Sequence, residues 1–240
     1  MIENQAIRQG DARFHDRRDA GRRLAGVLAT MELADPVVLA LPRGGVPVAF
    51  EVARGLNAPL DLLMVRKIGA PGFEEYGIGA VVDGADPQVV LNDEAVASVH
   101  PPSGYVELET QRQLQEIERR RSLYLGERQP VSVARRTAVV VDDGVATGGT
   151  ARAALLALKK AGARRVILAV PVAPPDVIAD LAKLADDVVC LKTPPDFRAV
   201  GLYYNDFKQT DDREVIDLLR ESRVMLEREA LAGLKRPPHP

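Results

Sequence analysis

The sequence predicts an α/β fold, a mostly parallel twisted sheet with helices on both faces. Short β-branched apolar runs alternate with longer amphipathic stretches, and a Val-rich run reads as a buried strand. Twice, a strand runs through a glycine pair straight into a helix. Buried parallel strands are apolar on both faces, and each parallel connection needs a crossover that a helix supplies.

Taken in order, a helix is expected over 16–31, where DRRDAGRRLAGVLATM is amphipathic. The strand 37–41 (VVLAL) follows, then a helix over 46–56 beyond Gly44-Gly45. Strands are expected at 60–65, 79–82 and 89–91, and a helix at 105–124. The strand 137–141 (TAVVV) leads through a glycine-rich turn into a helix over 149–161. Strands at 166–170 and 188–191 flank a helix over 175–184, and a last helix spans 211–227.

Two regions break this alternation. The stretch 67–88 holds five glycines and reads as a mobile loop around a short strand. The helix 105–124 contains QRQLQEIERRR and only a thin apolar stripe, Leu108, Leu114, Ile117 and Leu125. Such a helix packs one narrow face, and its arginine run reads as solvated. The tail LKRPPHP is expected to fray.

Composition excludes several function classes. The 240 residues suffice for one sizeable core, and 32 basic against 34 acidic side chains leave a net charge of -2. With no basic excess, no nucleic-acid partner is expected. No apolar run could span a bilayer, so no membrane partner is expected. The opening segment MIENQAIRQGDARFHDRRDAG carries both charge signs and is no secretory signal, so the expected location is cytoplasmic. The single cysteine, Cys190, lies among apolar neighbours and reads as a strand residue. With His15, His100 and His239 it shows no zinc-ligand spacing.

The most informative stretch is TAVVVDDGVATGGTARAALLALKKAG, residues 137–162. A buried strand ends in Asp142 and Asp143, then passes through Gly144, Val145, Ala146, Thr147, Gly148, Gly149 and Thr150 into a helix. Parallel sheets present ligands at the carboxyl ends of their strands. A helix N-terminus offers unpaired N–H groups and partial positive charge to a phosphate, and glycines let the backbone approach it closely. The two carboxylates would repel phosphate, so their partners are vicinal sugar hydroxyls or a divalent cation. No lysine precedes Thr150 and no G-x-G-x-x-G is present, so neither a nucleoside triphosphate loop nor a dinucleotide fingerprint fits. A second strand end, VVLALPRGGVPVAFEVARGL, brings Arg43, Gly44 and Gly45 to the same sheet edge. Arginine's planar fork suits a diphosphate. Arg66 and Lys67 lie just past the next strand, at the same edge.

VVVDDGVATGGTA resembles the phosphoribosyl diphosphate signature of the type I phosphoribosyltransferases. The resemblance covers 37–192 and implies that family's fold: a single domain over 1–240, with a core of about 37–192 and a small hood from about 11–36 and 193–228. It implies that Asp142 and Asp143 bind the ribose hydroxyls and that Ala146 to Thr150 bind the 5-phosphate. The loop at Gly44 and Gly45 would grip pyrophosphate, often through a cis peptide. Arg43, Arg66 and Lys67 would stabilise the departing charge. Mg²⁺ is the implied cofactor, riding on the diphosphate and reached indirectly by Asp142 and Asp143. RKIGAPGFEEYG is similar to adenine-type members, though Glu75-Tyr76-Gly77 comes sooner here and shortens the loop. Ala146 stands where 6-oxopurine members carry a third acid, which disfavours hypoxanthine and guanine. FRAVGLYYNDFKQ concentrates Phe197, Tyr203, Tyr204 and Phe207 in a chain without tryptophan. These rings either pin the last helix to the body or, through Tyr203 and Tyr204, stack on an acceptor base.

The expected activity is therefore transfer of ribose 5-phosphate from phosphoribosyl diphosphate to a small nitrogenous base by a homodimeric enzyme. The alternative is a non-catalytic sensor of the same sugar phosphate. No G-x-S-x-G is present, which excludes the usual α/β serine hydrolase.

Overall fold

A computed structural model describes residues 13–234, so residues 11 and 12 of the expected hood and the expected frayed tail from Lys235 lie outside the described residues. The elements run α1 (Arg17–Leu28), β1 (Pro36–Ala40), α2 (Gly45–Leu56), β2 (Leu60–Leu62), β3 (Val65–Ala70), β4 (Phe73–Val82) and β5 (Gln88–Leu91). They continue with α3 (Asp93–Val99), α4 (Tyr105–Leu125), β6 (Thr137–Val141), α5 (Gly149–Lys160), β7 (Arg165–Val172), α6 (Pro175–Leu181), β8 (Asp187–Lys192) and α7 (Asp212–Leu234).

The expected parallel sheet is present, with strand order β2-β1-β6-β7-β8. Period-two alternation sends successive residues to opposite layers. Val37, Leu39, Ala138 and Val140 pack with Ala154, Leu155 and Leu158 of α5. Val38, Ala40, Val139 and Val141 pack toward Leu24 of α1 and the apolar side of α2. β1 leads to β2 on one side, while β6, β7 and β8 extend on the other. The carboxyl ends of β1 and β6 therefore flank the switch point, where open α/β sheets place their ligands.

The glycine-rich stretch departs from expectation. Instead of a loop around one short strand, β3, the extended β4 and β5 form a three-stranded antiparallel sheet. Its glycines serve close approach. A Cβ on Gly69 would meet the Glu74 carbonyl oxygen at 2.6 Å, and one on Gly79 would meet that of Val90 at 2.8 Å. The single strand expected over 60–65 is also two. Leu63 N–H still donates to Ala40, but Met64 N–H donates to the Asp83 carboxylate at 2.6 Å, and Asp83 N–H returns a bond to the Met64 carbonyl. That exchange draws the chain out of the parallel sheet into β3. Helix α3, unforeseen, is capped by Asn92, whose side chain accepts from Ala95 N–H.

The arginine run of α4 divides three ways, as 100° per residue dictates. Arg119 is exposed and pairs with Glu116. Arg121 is buried and bridges Asp61 and Asp83, with contacts of 2.9 and 2.8 Å. Arg120 shares Glu116 with Arg119, donating to it at 2.7 Å, and borders the cleft described below. Burial outweighs the attraction of Arg121 at Asp83, whose pKa is pushed up to about 6.

Candidate active site

The loops after β1 and β6 are pressed together. A Cβ on Gly44 would overlap the carboxylate of Asp143, and one on Gly45 would meet the Val141 carbonyl oxygen at 2.7 Å. Only glycine allows this approach. Leu41 N–H donates to Val141 at 2.9 Å, so the pairing of β1 and β6 runs on to the loop itself. The Pro42–Arg43 peptide is cis.

Asp142 and Asp143 follow β6 directly. Asp142 Oδ1 accepts from the N–H of Asp143 at 2.8 Å. Burial, and then the neighbouring charge of Asp143, hold the Asp142 carboxyl well above the usual carboxylate range. Asp143 is tied from outside the loop: Arg17 Nε donates to its Oδ2 at 2.8 Å, and Tyr204 donates its hydroxyl to its carbonyl oxygen at 2.6 Å. Val145 is buried and its N–H donates to Val172, which anchors the loop from beneath. Gly148 then adopts φ 77° and α5 begins. Ala146, Thr147, Gly149 and Thr150 stand exposed at that N-terminus, and no acidic side chain occupies the first turn of α5. A Cβ on Gly149 would touch nothing.

On the α4 side of the β1 loop lies a cleft of about 90 Å³ whose polar lining is Arg43, Arg66, Arg120, Tyr124 and Thr150. Arg43 Nη1 lies 3.4 Å from Asp212 Oδ1, which also accepts from the Tyr124 hydroxyl at 2.7 Å. Arg66 Nε donates to Gln113 at 2.9 Å. Arg43 and Arg66 share this cleft, and Thr150 of the loop after β6 borders it as well, closer to Arg43 than a separate 5-phosphate loop would place it. Lys67 falls on the opposite face of β3 from Arg66, exposed, with its stem beside Gly77, and does not line the cleft.

The two tyrosines read as base-stacking candidates part company. Tyr204 is buried, packed between Phe14 and Phe207 at centroid distances of 5.4 and 5.0 Å. It cannot offer a ring face to a base, because that ring pins the chain ends to the Asp143 loop. Tyr203 is half-buried and stacks on Phe197 at 5.7 Å.

Arg17, Arg120, Tyr124 and Asp212 were not found from sequence. Arg17 and Asp212 sit at helix starts remote from both loops, with no local signal of where they point. Arg120 was hidden in the arginine run, although its helical phase differs from that of its neighbours by 100°.

A larger cavity of about 120 Å³ lies near the C-terminal end of α5, bordered by Asp61, Asp83, Asp86 and Ala161. Its acids Asp61 and Asp83 are taken up by Arg121, so it reads as a packing feature. Among the described residues, no group of three or more His, Cys, Asp or Glu could hold a metal ion, and no helix is long and apolar enough to cross a membrane.

Residues 15–206 match the phosphoribosyl transferase domain family. Two Mycobacterium tuberculosis proteins, "Putative phosphoribosyl transferase Rv0571c" of strain H37Rv and its counterpart in strain CDC 1551, are each 47% identical over 226 residues, 94% of this chain. The chain covers 51% of each, so it spans about half the length of these curated relatives. The crystal structure of TT1426 from Thermus thermophilus is 46% identical and superposes with a TM-score of 0.77, covering 87% of this chain and 98% of that one.

Proposed function

Because the chain belongs to the phosphoribosyltransferase family and has the type I fold, we propose that it transfers ribose 5-phosphate from phosphoribosyl diphosphate to a nitrogenous base. A ring nitrogen of the base bonds to C1 of the ribose as the C1–oxygen bond breaks. The bonding electrons leave with pyrophosphate, and the base releases its proton. One observation carries this reading: the acid pair, the open N-terminus of α5 and the cleft lined by Arg43 and Arg66 share one sheet edge, joined through Gly44 and Gly45.

In this reading Asp142 and Asp143 accept from the ribose hydroxyls, while Ala146 to Thr150 donate to the 5-phosphate. Arg43 and Arg66 bear on the diphosphate, where negative charge grows as the bond breaks. Mg²⁺ would ride on the diphosphate, and Asp142 and Asp143 would reach it only indirectly, through the bound sugar phosphate. When bound it would neutralise diphosphate charge. The reading includes a cytoplasmic setting and a homodimer, which sedimentation would reveal.

The test is single-turnover chemistry. Enzyme in excess over phosphoribosyl diphosphate and Mg²⁺ is mixed with each of a panel of purine and pyrimidine bases. A nucleotide and pyrophosphate in equal amounts are expected with at least one base. Tight binding without product from any base would replace the transferase with the sensor.

A further inference from the structure

Arg17 opens α1, remote in sequence from the acid pair, yet its side chain is only 11% exposed where it meets Asp143, itself 15% exposed. Its Nη1 donates to the Lys208 carbonyl at 2.6 Å, and its guanidinium lies 3.9 Å from the ring centre of Phe207. The two chain-end segments are also joined to each other. Phe14 N–H donates to Tyr203 and Asn205 N–H donates to Phe14, both at 2.8 Å. Tyr204, on the same segment, holds the Asp143 carbonyl. Both segments therefore converge on one residue of the acid pair. With Oδ2 committed to Arg17 and Gly44 packed against the carboxylate, the rotation of that carboxylate is fixed.

Resting on the sugar-phosphate reading above, we propose that Arg17 is a positioning residue: by holding Oδ2 it aims the other carboxylate oxygen of Asp143, Oδ1, at a ribose hydroxyl and couples sugar binding to docking of 14–17 and 203–208. The pairing also offsets part of the repulsion that two adjacent carboxylates exert on an incoming phosphate. Coupling between two sites is reciprocal, so bound sugar phosphate should tighten both segments in turn.

The experiment is a double-mutant cycle read by calorimetry with phosphoribosyl diphosphate and Mg²⁺. It uses the wild type, Arg17→Lys, Arg17→Met, Asp143→Asn and the Arg17→Met/Asp143→Asn double variant, each checked for cooperative thermal unfolding. Arg17→Met is expected to weaken binding by about 10- to 100-fold, inside the roughly 2- to 150-fold span of directly coupled groups. Arg17→Lys should recover part of that. With Asp143→Asn already present, adding Arg17→Met should cost little more. Wild-type affinity in Arg17→Met, or the same loss in both backgrounds, would overturn the proposal, since a merely structural loosening ignores the partner's charge. Absence of binding by the wild type would instead refute the sugar-phosphate reading and this inference with it.

Discussion

Replacing Gly149 with alanine separates a phosphate loop from an ordinary helix start. Gly149 is the first residue of α5, its φ lies outside the left-handed range, and an added Cβ would touch nothing. In the unliganded protein Gly149→Ala should therefore stabilise by about 0.4–1 kcal/mol, chiefly by reducing the freedom of the unfolded chain. For a chain of this size that raises Tm by about 1–4 °C. The same open space is where the backbone must approach the 5-phosphate, and a methyl group there keeps it out. Affinity for phosphoribosyl diphosphate should fall by at least about tenfold, or 1.4 kcal/mol. Scanning calorimetry and titration calorimetry on the same sample read both effects, which have opposite signs. Higher Tm with unchanged affinity would refute the assignment of this loop to the phosphate.

Three further outcomes follow from the same geometry. Asp142 holds its proton in the fold to a higher pH than when unfolded, so wild-type stability should fall as pH rises from about 4 through that raised value. Asp142→Asn should lose less Tm across that window, and an identical slope would show that this carboxyl does not hold its proton more tightly in the fold than in the unfolded chain. Arg121→Met leaves Asp61 and Asp83 buried without a counter-charge and should cost about 3–5 kcal/mol in urea unfolding; a loss under about 1 kcal/mol would show that the triad does not hold β2 and β4 to α4. Arg43→Ala and Arg66→Ala should slow single-turnover nucleotide formation by about 10²–10³-fold, more than they weaken binding, with Lys67→Ala milder because it lies outside the cleft. Equal losses in rate and affinity would place both arginines in ground-state binding alone.

The strands of the parallel sheet and the two glycine-bearing loops at its edge were legible because each is local. VVVDDGVATGGTA states its strand, acids, glycines and helix start in consecutive residues, and LALPRGG shows a strand running into a glycine pair without the acids. The antiparallel sheet was missed because glycine has two physical uses. At Gly69 and Gly79 it admits a neighbouring strand's backbone, which reads in sequence like mobility. The break at Met64 depends on Asp83, nineteen residues on, whose side chain captures an N–H that strand propensity assigns to the sheet. Tyr204 was ambiguous for the same reason. An aromatic ring suits both a base and a core, and only the positions of Phe14 and Phe207 decide between them. The arginines of α4 and α1 carry no mark of their targets. Arg17 reaches Asp143 across 126 residues, and Arg120 differs from Arg119 only in helical phase.

Titration calorimetry of the wild-type chain with phosphoribosyl diphosphate and Mg²⁺ tests the central claim most directly, that the loops after β1 and β6 form one sugar-phosphate site. One ligand per chain should bind, and at a hundredfold excess over Kd the fold should gain about 2.7 kcal/mol of stability. That binding should be sharply weakened in Asp143→Asn. Absence of heat at millimolar ligand, with the thermal transition unmoved, would contradict the account.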